Sequence, residues 1–317
     1  SAGSDRFSFS LRSLTEPDLL QQAVKLAARQ IAEPAFPDAV WQRDRQRLLA
    51  QLRESYTRPA YLTARAFSEA VYRTHPYGHE VSEATLARIG VADMRAFHTR
   101  YISACNARVS IVGALTRVQA DALVTGLLAR LPTSDCAATT PLPQVPEVAP
   151  LEQARVIRIP FNSAQAHVLL GQPGYKRDDP DFFALTVGNY VLGGGGFVSR
   201  LTEEVREKRG LSYSVSSYFA PGRHAGAFTL GLQTRPDQAA QATEVARQVL
   251  ARFVAEGPSE AELQAARDNL IGGFPLLIDS NRKLLGNLSS MAWNDLPLDY
   301  LDSWTARIAK VDVADVR

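Results

Sequence analysis

Gly193-Gly194-Gly195-Gly196-Phe197-Val198-Ser199-Arg200-Leu201, with the run EEVREKRGLSYSVSSY at 203–218, sets the reading of this chain. Four consecutive glycines permit a tight backbone turn that residues with a Cβ could not follow, and they come directly after the apolar helical run 182–192. A helix therefore ends at the glycines. A second helix begins near Phe197, carries Arg200, Glu203, Glu204, Arg206, Glu207 and Lys208 as a charged face, and stops at Gly210. Leu211-Ser212-Tyr213-Ser214-Val215-Ser216 then alternates apolar or aromatic with small polar residues, as a strand does. Arg206 thus falls at the end of a helix and Tyr213 at the start of a strand. Taken alone, the two could be a helix-capping arginine and a half-buried tyrosine. The glycine turn before them turns the reading toward a built site.

Composition narrows the function classes. The chain has 317 residues, 45% hydrophobic and 21% charged, which is ordinary for a globular protein long enough for two domains. Its formal net charge of +2 comes from interspersed acidic and basic residues, so there is no basic stripe for nucleic acid or an anionic membrane. No apolar run reaches the ~18 residues of a membrane span. Cys105 and Cys136 lack the spacing of a metal or redox motif, and the sequence leaves their pairing open. The chain has no initiator Met and starts inside a strand-like stretch, so a leader peptide, if the protein has one, is expected upstream.

Outward from the glycine turn, residues 6–14 alternate with period two and predict a strand. Helices are predicted over 17–31, 38–56 (apolar on Val40, Trp41, Leu48, Leu49 and Leu52), 60–72, 91–101 and 116–131, with a turn at 75–79 and a strand at 107–112. Residues 133–150 carry Pro141, Pro143, Pro146 and Pro150 without periodicity and predict an extended linker. Beyond it, strands are expected at 154–159, 166–170, 211–219 and 225–233, and helices at 181–192, 236–255, 259–278, 281–293, 298–309 and from Val313 on. Strand pairs alternating with runs of helices predict an α+β fold.

The chain also repeats itself. Val91-Ala92-Asp93-Met94-Arg95 returns as Val313-Ala314-Asp315-Val316-Arg317, an offset of 222 residues. At the same offset Asp38-Ala39 meets Glu260-Ala261, Trp41 meets Leu263, Leu48 meets Leu270 and Leu49 meets Ile271. A tandem duplication is expected, with a first domain over 1–132 and a second over 151–317. Parts of each half lack a counterpart in the other, so both domains are expected to be truncated at the chain's ends.

Gly210-Leu211-Ser212-Tyr213, with Arg206 seven positions before Tyr213, resembles the C-terminal half of the M16 (insulinase-like, inverted zincin) metallopeptidases. The resemblance extends over nearly the whole chain and implies two M16-type domains, each a mostly antiparallel sheet with helices on one face. In that family the Arg/Tyr pair hydrogen-bonds the backbone of an extended substrate, a task suited to a guanidinium fork and a phenol. The family's zinc motif, His-x-x-Glu-His, would fall upstream of Ser1, and none of His75, His79, His98, His167 or His224 recreates it. His75 and His79 are four apart, but Pro76 and Gly78 between them predict a turn, matching the family's structural His-Pro-Tyr-Gly.

On the helix 38–56, the resemblance places Gln51 where a zinc-ligating Glu belongs and Asp44 where the supporting acid belongs. A neutral amide is a poor ligand for a dication, while Glu54 would offer a carboxylate if the register were shifted by about one turn. These are degenerate zinc-site positions, with no catalytic residue and no metal expected in this chain. Zinc is expected in a catalytic partner or in the absent N-terminal segment.

The resemblance therefore implies a non-catalytic M16 subunit that binds peptide through Arg206 and Tyr213. Its partner would be a zinc-bearing M16 chain in a heterodimer, or a second copy in a homodimer. Two alternatives are a fragment of an active zinc metalloendopeptidase and a core-protein-like scaffold of the same fold, against which the Arg/Tyr pair speaks. Chains of this kind in Gram-negative bacteria are often exported, which makes the periplasm the expected compartment.

Overall fold

The computed structural model describes residues 1–132, 136 and 141–317. The chain divides into two compact units that interleave along the sequence: 1–53, 81–145 and 278–293 form one, and 54–80, 146–277 and 294–317 the other. This division differs from the two consecutive halves expected from the sequence, because segments distant along the chain share a unit.

The first unit is helical, with α1 (Pro17–Ala32), most of α2 (Asp38–Ser55), α4 (Glu83–Arg88), α5 (Val91–Tyr101), α6 (Arg117–Leu128) and α10 (Asn281–Trp293). Proline opens α1, and α6 starts at Thr116, whose hydroxyl accepts from Gln119 N–H in a reciprocal capping box. Val24 and Ala28 of α1 are buried where α1 packs on α6. Of the apolar side foreseen for α2, only Leu52 is buried, while Val40 and Leu48 are exposed. A disulfide joins Cys105 to Cys136, settling a pairing that spacing alone left open.

The second unit holds the sheet. Strands β1 (Ala166–Pro173), β2 (Ser214–Phe219) and β3 (Ala227–Thr234) are antiparallel in the order β1-β3-β2, with Leu230 of β3 opposite Leu170 and Ser217. One face presents Val168, Leu170, Val215, Phe228, Leu230 and Leu232 to α7 (Phe182–Asn189), α8 (Ala239–Glu256) and α9 (Glu260–Gly273). Val187, Leu201, Val205, Leu230, Ala246 and Ile308 are fully buried there, Ile308 coming from α11 (Tyr300–Lys310). The opposite face meets α3 (Pro59–Tyr72), and α12 (Val313–Val316) packs on α7. No helix among the described residues is long and apolar enough to cross a membrane.

Three expected strands are absent. Segment 6–14 has an isolated bridge from Phe7 to Ala2 as its β pairing, and 107–112 and 154–159 form no strand. Period-two alternation marks a side chain's face, but a strand also needs a neighbour's N–H and C=O groups. Without that ladder Phe7, Phe9, Leu11, Val109, Val156, Ile157 and Ile159 stay exposed. Residues 141–150 have no helix or strand, and the rest of the expected linker, apart from Cys136, lies outside the described residues. The positions paired at offset 222 occupy corresponding places: Asp38 and Glu260 open α2 and α9, and Val91 and Val313 open α5 and α12.

Candidate functional site

The glycine turn is fixed from below by β2. Asn189 Nδ2 donates to Ser217 O at 3.1 Å, and Ser217 Oγ donates back to Asn189 Oδ1 at 2.8 Å. Gly193 lies so close to this clamp that a Cβ would stand 2.4 Å from Ser217 Oγ and 2.7 Å from Leu201. Gly196 has φ +62°, the left-handed region in which glycine carries no Cβ penalty. Ser199, fully buried, donates to Gly196 O at 2.7 Å and accepts the chain into the next helix, Glu203 N–H bonding to Ser199 O at 3.0 Å.

Both helical segments around the turn are wound wide. Residues 190–194 and 202–207 are π-helical, with Gly195 N–H bonded to Tyr190 O at 2.8 Å and Lys208 N–H to Glu203 O at 2.9 Å. Such segments are rare and concentrate at functional sites. Sequence periodicity predicts ordinary α-helix here, because a single inserted residue leaves the apolar pattern nearly unchanged.

The second π segment carries Arg206, and Gly210 at φ +59° ends it: Gly210 N–H bonds to Arg206 O and Leu211 N–H to Val205 O. Leu211 and Ser212 are then buried, with Ser212 Oγ 2.6 Å from Gln233 O and Thr234 Oγ1 bonded to Leu211 O at 2.5 Å. Pinned on both sides, the chain projects Tyr213 outward, 81% exposed. The Arg206 guanidinium carbon lies 4.8 Å from the Tyr213 ring centroid and 4.8 Å from that of Phe197, itself 72% exposed. Aromatic faces attract the cation and hold its plane. Arg206 Nε also pairs with Glu207 at 3.2 Å.

The remaining charges of the segment are matched locally. Lys208 and Arg209 both bond to Glu204, at 2.8 and 2.6 Å, and hold its carboxyl down at about 2. Arg200 makes a bidentate pair with Glu262, both contacts 2.7 Å, and reaches Gly257 O at 3.0 Å. That pair, with Ser259 N–H, keeps Glu262 at about 2 and ties the turn to the N-terminus of α9.

Sequence reasoning named Arg206 and Tyr213, and the structure brings them together. It missed Phe197 as the third member and the Asn189–Ser217 clamp. Phe197 had a signal, a large aromatic in a glycine turn with no apolar periodicity to claim it for the core.

Asp44 and Gln51 share α2, two turns apart, in the other unit. Asp44 Oδ1 is bonded by Arg43 at 3.3 Å and approached by Arg47 at 3.6 Å, surroundings that do not suit a dication, and Gln51 brings a neutral amide. Glu54 lies 3.9 Å from Arg58. Three of the five histidines are engaged elsewhere: His75 Nδ1 accepts from Tyr77 N–H, His98 Nε2 lies 2.7 Å from Ile31 O, and His224 lies 3.3 Å from Glu147. His75 and His79 flank the 3-10 turn Pro76–Gly78, so the helical spacing of a shared metal site is missing. No group of three His, Cys, Asp or Glu side chains is placed to hold a metal among the described residues. The zinc implied by the family does not fit the residues on α2.

Comparison with known proteins locates these features. The family model of the peptidase M16 inactive domain matches residues 88–270, which contain the glycine turn, Arg206 and Tyr213. An uncharacterized zinc protease of Streptomyces coelicolor is 37% identical over 165 residues, 51% of this chain and 35% of the relative. A non-peptidase homolog from Helicobacter pylori is 30% identical over 159 residues, 49% of this chain and 36% of that one. The chain thus spans about a third of the length of these two curated relatives. Among solved structures, the peptidase M16 inactive domain of Pseudomonas fluorescens superposes with a TM-score of 0.89 at 34% identity, covering 96% of this chain and 71% of that one. A Helicobacter pylori protease shares the fold, with a TM-score of 0.85 at 18% identity and coverage of 97% and 77%. With the model matching more than half of its residues, the chain belongs to the M16 peptidase family, as an inactive-type domain.

Proposed function

We propose that this chain is a non-catalytic M16 subunit that binds the backbone of an extended peptide through Arg206 and Tyr213 and complements a zinc-bearing M16 chain in proteolysis. The observation that carries the reading is the cluster of half-buried Arg206 between exposed Tyr213 and Phe197, beside a glycine turn clamped at Gly193. The turn confines the backbone beside a half-buried cation, an arrangement suited to pre-organised binding. With its Nε turned to Glu207, the guanidinium under the aromatic rings has its two Nη groups to offer peptide acceptors, and the phenol adds one donor. Both suit peptide carbonyl oxygens and neither reads side chains.

The test is peptide affinity with stability measured alongside. Arg206→Ala is expected to weaken binding of an extended peptide about tenfold, the size of one charge-assisted hydrogen bond, and Tyr213→Phe by a smaller factor. The unfolding midpoint is expected to stay unchanged in both, since neither side chain belongs to the core. Equal peptide affinity in both variants and wild type would return the pair to a structural role.

A further inference from the structure

We propose that the cavity beneath α3, on the sheet face turned away from the core, takes one large apolar side chain, aromatic by preference, of the peptide held by Arg206 and Tyr213. The inference rests on that reading and deepens it into a preference for substrate. The cavity encloses about 300 Å³ and is lined by Tyr61, Phe67 and Tyr72 of α3 and by Leu169, Tyr218 and Thr229 of the sheet. That volume suits one aromatic side chain and is too small for two. Its walls are held: Tyr72 Oη accepts from Ala227 N–H at 2.9 Å, and Phe67 packs so near Gly171 that a Cβ there would lie 2.7 Å from the ring.

Charge at the rim argues for a neutral occupant. Arg65 is already paired with Glu69 at 2.9 Å and bonded to Tyr56 at 2.5 Å, so it offers little to an acidic side chain, and Glu80 at the same rim opposes one. Tyr218, 52% exposed, stands at the opposite end of β2 from Tyr213. Between them β2 puts only Ser214 and Ser216 on the open face, both exposed, with Gly231 opposite Ser216 and Gln233 opposite Ser214. Five residues of strand span about 17 Å, and an extended peptide advances at the same rate. The residue entering the cavity therefore stands about five positions from the carbonyl held by Arg206.

The experiment is calorimetric titration of the full chain with otherwise Ala/Ser/Gly peptides that carry a single Phe at successive positions, against an all-Ala reference. One Phe position, or two neighbouring ones, is expected to bind about tenfold tighter than the reference. Ala64→Trp, which fills the cavity from an exposed position on α3, is expected to abolish that gain and leave the reference affinity intact. Tyr218→Ala, removing a wall from an exposed strand site, is the second variant and is expected to reduce the gain. Arg206→Ala is expected to weaken every peptide alike. Equal binding of all Phe peptides and the reference, or a Phe gain that survives Ala64→Trp, overturns the cavity assignment while Arg206 dependence keeps the first reading standing. A Phe gain without Arg206 dependence upholds the cavity and overturns that first reading. If no peptide binds the wild-type chain, both fall.

Discussion

The glycine turn and helix α2 are the two places where this family's chemistry is expected, and they are built in opposite ways. Around the turn, Leu201, Val205 and Ser199 are fully buried, two wide helical segments flank the glycines, and Arg200, Glu204, Arg206, Lys208 and Arg209 are all drawn into ion pairs. On α2, Asp44 is approached by arginines, Gln51 is exposed, and only Leu52 is buried. Packing is concentrated around the glycine turn and is sparse on α2. A site that must hold geometry needs such support.

Gly193→Val separates the two regions most sharply. The added Cβ would stand 2.4 Å from Ser217 Oγ and 2.5 Å from Ser217 N, so overpacking should cost about 3 kcal/mol and lower the unfolding midpoint by several degrees. The matching change on α2, Gln51→Val, should move it little.

Breaking the Arg200–Glu262 pair comes next. Both side chains are partly exposed, 19% and 33%, so Arg200→Ala is expected to cost about 1 to 2 kcal/mol, below the penalty for a fully buried pair. The pH dependence has a definite sign. Glu262 sits at about 2 in the folded chain against its ordinary 4.5, so the pair's stabilisation is present above pH 4.5 and fades as pH falls toward 2. Glu262→Gln should flatten that acid limb in a denaturant titration series. An unchanged limb would assign the acid sensitivity to other carboxylates such as Glu204.

A smaller effect is expected from Arg206→Lys. The charge is retained, but the planar fork that lies over Phe197 and Tyr213 is lost, so peptide affinity should fall about threefold to tenfold with no change in stability. Least of all is expected from Gln51→Glu. It restores a carboxylate on an exposed helix face without bringing histidines to it, so metal analysis after dialysis should read the same for variant and wild type.

The helices could be read from sequence almost to the residue where local rules govern: 91–101 and 281–293 match α5 and α10 as drawn, and Thr116 caps α6. The strands expected at 211–219 and 225–233 form as β2 and β3, neighbours along the chain that pair with each other. Residues 6–14, 107–112 and 154–159 carry the same alternation without forming strands, since pairing is non-local and period two does not encode it. Arg206 and Tyr213 are legible through the family resemblance, carried by the turn Gly210-Leu211-Ser212-Tyr213, and Gly210 does take the positive φ that ends the helix there. Phe197 is not legible, because the wide segment 202–207 lies between it and Arg206 and periodicity does not reveal its extra residue. Cys105 and Cys136 likewise meet only through the folding of the chain between them.

The most direct measurement is reconstitution: peptide hydrolysis by a zinc-bearing M16 chain titrated with this protein, in wild-type and Arg206→Ala forms. The proposed role predicts that wild-type chain raises kcat/KM in a saturable way and that Arg206→Ala gives about a tenth of that rise with an unchanged unfolding midpoint. Hydrolysis that is indifferent to this chain, or raised equally by both forms, would contradict it.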